Sequence, residues 1–92
     1  MRVEVVRRGG VVGVAQPGSL DLSELPPKVA GDAVAALGQL PFGTPSAAPR
    51  HPDSFQYEIT VIDGEERRRA VLDEAQVPHA LRPLLDAALD RG

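Results

Sequence analysis

The side chains able to act as acid, base, nucleophile or metal ligand are few and scattered. The two histidines, His51 and His79, stand in no His-Glu-x-x-His or other ligand pattern. Both read as surface loop residues, and a metal site would need a carboxylate to converge on one of them from elsewhere in the chain. Ser19, Ser23, Ser46 and Ser54 lie in no nucleophile elbow, and Ser23 reads as a turn or cap residue. There is no cysteine, which excludes a disulfide scaffold, a thiolate zinc site and a thiol nucleophile. The run Gly9-Gly10-x-x-Gly13 has the look of a phosphate cradle but lacks the strand–loop–helix setting that such a loop requires. It reads as a hairpin turn, with Gly13 permitting close approach or a bulge. No catalytic, metal-binding or cofactor-binding set emerges, so the expectation is a non-enzymatic protein.

Charge and composition narrow the partner. Glu65-Glu66-Arg67-Arg68-Arg69 reads as a solvated strand with cross-strand ion pairs, its alternative being a patch for an acidic partner. Ten basic against thirteen acidic residues give a net charge of −3, which disfavours a broad nucleic-acid footprint. Phe42, Phe55 and Tyr57 are the whole aromatic complement, too few for a stacking platform. No apolar run approaches the roughly 20 residues of a membrane span. The opening Met1–Arg8 alternates and carries charge, unlike a signal peptide, so the expected location is cytoplasmic. Ninety-two residues make a single domain, 1–92, expected to be monomeric when free.

The elements that must hold any site follow from periodicity. Met1, Val3, Val5 and Arg7 share one face of a strand. Gly9-Gly10 suits a two-residue turn that sets Arg8 against Val11, Arg7 against Val12 and Val5 against Val14. Gln16-Pro17-Gly18 then closes the strand, and residues 19–28 connect to a helix over Pro27–Leu40. Val29, Ala33, Ala36, Leu37 and Leu40 form its apolar stripe. Pro41–Asp53 holds four prolines and is a linker or a stiffened surface loop.

Phe55, Tyr57, Ile59 and Val61 then alternate as a strand, and Asp63-Gly64 turns it. The return places Arg68, Ala70 and Leu72 on the apolar side and, for a two-residue turn, Glu58 opposite Arg69. A last helix begins at Pro83, with Leu81, Leu84, Leu85, Ala88 and Leu89 at helical spacing. The fold class is α+β: a four-stranded antiparallel sheet from two hairpins, packed against two helices in the order β-β-α-β-β-α. The expected core includes Val5, Val14, Leu37, Phe55, Tyr57, Ile59, Leu72, Leu84 and Leu85.

Such a scaffold carries two shaped protrusions, the hairpin tip and the proline-rich loop with Phe42 on it, which is the logic of a binding module. Several stretches, in order, resemble the emfourin family: Met1–Gly10 with Gly13, Leu20-Asp21-Leu22 with Leu25-Pro26, Pro52–Tyr57, Asp73-Glu74-Ala75 and Ala80–Leu85. The resemblance implies an inhibitor of protealysin-like enzymes, which are thermolysin-type zinc metalloproteases. It brings no inhibitory residues with it. Two elements are candidates to fill the cleft of such an enzyme. One is the hairpin tip, Arg7, Arg8, Gly9, Gly10, Val11 and Val12, with Val11 or Val12 entering an apolar pocket. The other is the loop, with Phe42 as anchor and His51 or Asp53 as a ligand to the enzyme's zinc. A joint footprint with the tip as wedge is the favoured arrangement, ahead of the loop alone and of another surface such as the N-terminus at Met1. The rival reading is a non-catalytic interaction domain with no protease partner.

Overall fold

The computed structural model describes residues 1–9, 15–40, 42–43 and 55–91. The expectations placed on Gly10, Val11, Val12, Gly13, Val14, His51 and Asp53 lie outside the described residues. Four strands form one antiparallel sheet: β1 (Arg2–Gly9), β2 (Gln16–Asp21), β3 (Phe55–Asp63) and β4 (Glu66–Asp73), in the order β2-β1-β3-β4. Two helices, α1 (Pro27–Leu37) and α2 (Arg82–Arg91), cover one face. The expected α+β architecture is the one observed.

Alternation determines the faces. Val3 and Val5 of β1, Tyr57, Ile59 and Val61 of β3, and Ala70 and Leu72 of β4 are all buried. Their neighbours Glu4, Glu58 and Thr60 stay half-exposed on the open side. One row crosses the whole sheet on the helix side as Gly18, Val5, Ile59 and Ala70. Phe55, expected in the core, is only half-buried, because it sits at the rim, opposite Gly9.

Both hairpins differ from the sequence reading in register. In the second, Asp63 pairs with Glu66, so the two-residue link is Gly64-Glu65 and not Asp63-Gly64. The positive φ that such a turn needs at its first position falls on Gly64, at 61°. Glu58 therefore lies opposite Val71, and Arg69 opposite Thr60. The shift is by an even number, so the faces survive, and Arg69 still reaches Glu58 diagonally at 3.0 Å.

The first hairpin departs further. Gln16-Pro17-Gly18 begins β2 and does not end a strand, and the strand continues through residues expected in the connector, to Asp21. Arg7 pairs with Gln16 and Val5 with Gly18, which replaces the expected Arg7–Val12 and Val5–Val14 pairs. The reason is packing. A Cβ at position 18 would lie 2.2 Å from the Ala88 carbonyl oxygen of α2, so the row under that helix requires glycine. The same register buries Leu20 beside Val3. Pro17 is admitted because β2 is an edge strand.

The helices follow their stripes. Pro27 opens α1, as its fixed φ favours, and Ala33, Ala36 and Leu37 are buried. The helix is shorter than expected, ending at Leu37. Beyond it the Gln39 N–H donates to the Ala36 carbonyl (3.1 Å) and the Leu40 N–H to that of Leu37 (3.2 Å). This tighter turn still carries Leu40 into the core. A 3-10 turn at His79–Leu81 leads into α2, whose Leu84, Leu85, Ala88 and Leu89 join Leu81 in the core.

A second 3-10 turn, Leu22–Glu24, is closed by a capping box. The Ser23 N–H donates to Asp21 Oδ1 (2.9 Å) and the Asp21 N–H to Glu24 Oε2 (3.0 Å). The bond from the Ser23 backbone, then that from its side chain, holds the Asp21 carboxyl below its ordinary value of 3.8. A depressed folded-state value means that this contribution is complete above the ordinary value and is lost as pH falls through the folded one. The stability difference between wild type and Asp21→Asn should therefore shrink below about pH 4. Urea midpoints of both proteins between pH 6 and pH 2.5, as roughly chosen limits around that value, check it; a constant difference would reject the assignment.

Candidate functional site

The sheet has two ends, and each carries part of the expected site. At one end β1 finishes at Gly9 beside the start of β3 at Phe55. Gly9 has a φ of 91°, a left-handed conformation that glycine adopts without strain. Arg8 projects on the open face, where its guanidinium lies 3.4 Å from the Glu58 carboxylate, which Arg69 also approaches. Arg8 is 60% exposed and Glu58 18%, so this pair stays screened while its acid is held in place.

Arg7 is on the opposite face, half-buried. It donates a hydrogen bond to Gln16 Oε1 on β2. Its guanidinium carbon stands 4.6 Å from the centre of the Phe55 ring on β3, a cation–π contact. Arg7 thus holds groups of its own molecule, and the sequence reading of it as a contact for a partner missed this. The missing signal was tertiary: nothing in the spacing of residues 7, 16 and 55 joins them.

At the other end, Phe42 packs partly buried against the core. The Gly43 N–H beside it donates to the Arg69 carbonyl of β4 at 3.2 Å. Phe42 lines an open cleft of about 210 Å³ with Met1, Val34, Leu37 and Val61, rimmed by Asp63, Glu66 and Arg68. Met1 and Val34, at 43% and 42% exposure, are the exposed large apolar side chains among the described residues. Val34 lies off the buried stripe of α1, which is the sequence signal for this patch. Six residues of strand separate the Val3–Val61 row from the Gly9–Phe55 row, about 20 Å. The structure therefore sets Phe42 far from Arg7, Arg8 and Gly9, while the rest of the expected joint footprint lies outside the described residues.

The arginine run on β4 behaves as a solvated strand. Arg68 pairs with Glu66 of its own strand at 3.2 Å, both well exposed, and Arg69 with Glu58 across the ladder. Among the described residues no three His, Asp or Glu side chains converge as a metal site. Among the same residues no helix is long and apolar enough to cross a membrane.

The family model described as Emfourin matches residues 5–89. No curated protein and no solved structure matches the chain.

Proposed function

The chain belongs to the emfourin family, an inhibitor family whose partners are proteases, and from that premise we propose that it is a protein inhibitor of protealysin-like, thermolysin-type zinc metalloproteases. Such an enzyme holds its zinc and its catalytic glutamate at the floor of a cleft between two lobes. A protein blocks it by filling the cleft without offering a cleavable bond in productive geometry. The filling element must be narrow and pre-organised, since ordering a floppy one consumes binding free energy.

The Gly9 end of the sheet fits that requirement best. The observation behind this choice is that its three neighbouring strand ends, with β1 central, are tied across both ladders by Arg7, through Gln16 on β2 and the Phe55 ring on β3. Arg8 and Gly9 lead into Gly10, Val11 and Val12, which form the proposed wedge, with Val11 or Val12 in the apolar specificity pocket. His51 and Asp53 precede Phe55 by a few residues and are the proposed contacts to the enzyme's zinc from the same end. Phe42, at the opposite end, drops out of this footprint.

Titration against a protealysin-like protease tests the proposal. Alanine at both Val11 and Val12 should raise the inhibition constant at least about tenfold, about 1.4 kcal/mol, with little change in Tm. A partial deletion within 43–50 should weaken inhibition less, because a rim contact mainly excludes water. Inhibition that survives the valine substitutions and disappears with the deletion would transfer the inhibitory role to the loop. A wild-type protein that leaves the protease fully active would favour an interaction domain with another partner.

A further inference from the structure

We infer that Arg7 is a positioning residue for the proposed inhibitory end, a clamp that holds together the strand ends from which both the 10–14 and 44–54 segments run. The inference rests on the inhibitor reading but has its own geometry. Among the described residues Arg7 is the last of β1 that is paired on both sides, with Gln16 of β2 and with Tyr57 of β3. Past it, among the described residues, the β2 pairing stops at Gln16, whereas the β3 pairing runs on to Gly9–Phe55. Strand ends of this kind open first when a sheet frays, since fewer buried contacts hold them.

The Arg7 side chain spans both ladders at once. Its Nη2 donates to Gln16 Oε1, which ties the β2 end to the centre strand. The flat guanidinium lies over the Phe55 ring, which ties the β3 end to the same strand. One planar group can serve both partners because its edge carries the hydrogen-bond donors while its face is free to stack. The site is half-buried and no carboxylate pairs with Arg7 among the described ion pairs, so its charge is committed to this ring and this amide. Arg8, the next residue, faces the other way, exposed on the open face beside the Glu58 carboxylate. Adjacent arginines thus divide into an inward clamp and an outward contact, a division that strand alternation enforces.

The test is coupling. Arg7→Met keeps the length and packing of the stem and removes both ties, and it should raise the inhibition constant roughly fivefold or more. The pair Gln16→Ala with Phe55→Leu removes the same ties from the other side and should do so to a similar degree. The triple variant should be no worse than Arg7→Met within about twofold, because the substitutions break one unit. Arg7→Lys, which keeps a cation over the ring but not the fork, should recover part of the loss. If Arg7 touched the protease directly, the effects would multiply, and that result overturns the inference, as does an unchanged inhibition constant in Arg7→Met.

Amide exchange in the free protein supplies a readout that does not depend on the protease. The Gln16 backbone amide, bonded toward β1, and the Arg8 and Gln56 backbone amides, which face each other across β1 and β3, should exchange faster in Arg7→Met, while those of Ile59 and Leu84 stay protected. If the wild type fails to inhibit, the inhibitor reading falls, and exchange alone decides the clamp: faster exchange upholds it and unchanged exchange rejects it. Should Arg7→Met lower Tm so far that the protein is not folded at assay temperature, Arg7→Lys carries the same comparisons.

Discussion

Ile59→Ala should lower the free energy of unfolding by about 2–5 kcal/mol. Ile59 is fully buried at the centre of the sheet, flanked in its row by Val5 and Ala70 and covered by the helices. Removing three carbons there forfeits their transfer free energy and leaves a cavity that a two-layer domain closes only in part. Ala70 cannot reach into the space, and Val5 is β-branched and stiff about χ1. Domains of ordinary stability have about 5–15 kcal/mol in total, so the loss is a large share. Ile59→Val, which removes a single methyl group, should cost about 0.5–1.5 kcal/mol. Denaturant titration of the three proteins gives both differences, and a change below about 0.5 kcal/mol for the alanine variant would contradict the burial assigned to this face.

Gly18→Ala is expected to destabilise by about 3 kcal/mol or more, the upper range for overpacking. In an unstrained place the same change would stabilise by about 0.4–1 kcal/mol, through the unfolded chain. The sign at residue 18 is decided by sterics. The added Cβ would stand 2.2 Å from the Ala88 oxygen, 2.6 Å from its carbonyl carbon and 2.9 Å from the Leu89 Cα. All three are backbone atoms of α2, so no side chain can swing away and the helix itself must move off the sheet. Gly31→Ala is the matched control, on the exposed side of α1 with nothing within 4 Å of the new atom. It should stabilise by about 1 kcal/mol. Thermal melts that give both variants the same sign would refute the close approach of β2 and α2.

The contrast between these two glycines shows what the chain discloses on its own. Alternation in 55–61 and helical spacing in 81–89 report burial directly, because each follows from the period of one element, and both were legible. The face of β4 was legible as well, since an even shift in register leaves side chains where they were. The first hairpin was not. Gly9-Gly10 is a strong local turn signal, but the register was decided by Gly18 beneath α2 and by Leu20 beside Val3. Both contacts involve segments far apart in the chain. The site is equally tertiary: Arg8 lies exposed on the open face, while Arg7 turns inward to a ring and an amide on two other strands, contacts that no spacing in the sequence reveals. Phe42, read as a second anchor, lies at the opposite end of the sheet, because the path of a proline-rich segment is not written in its periodicity.

The strand order has a consequence for how the molecule is made. Of the four described strands β1 is synthesised first, yet it occupies an interior position between β2 and β3. Of its two neighbours in the described sheet, β1 has only β2 until Phe55–Asp63 has emerged from the ribosome, and a lone two-stranded ribbon is marginal in water. The valine-rich edge of β1 stays unpaired throughout that interval, open to non-native pairing with other chains. Closure of the sheet then joins residues near the two halves of the chain, a non-local step of the kind that slows folding. The protein's vulnerable moment therefore comes during translation and ends only when β3 docks.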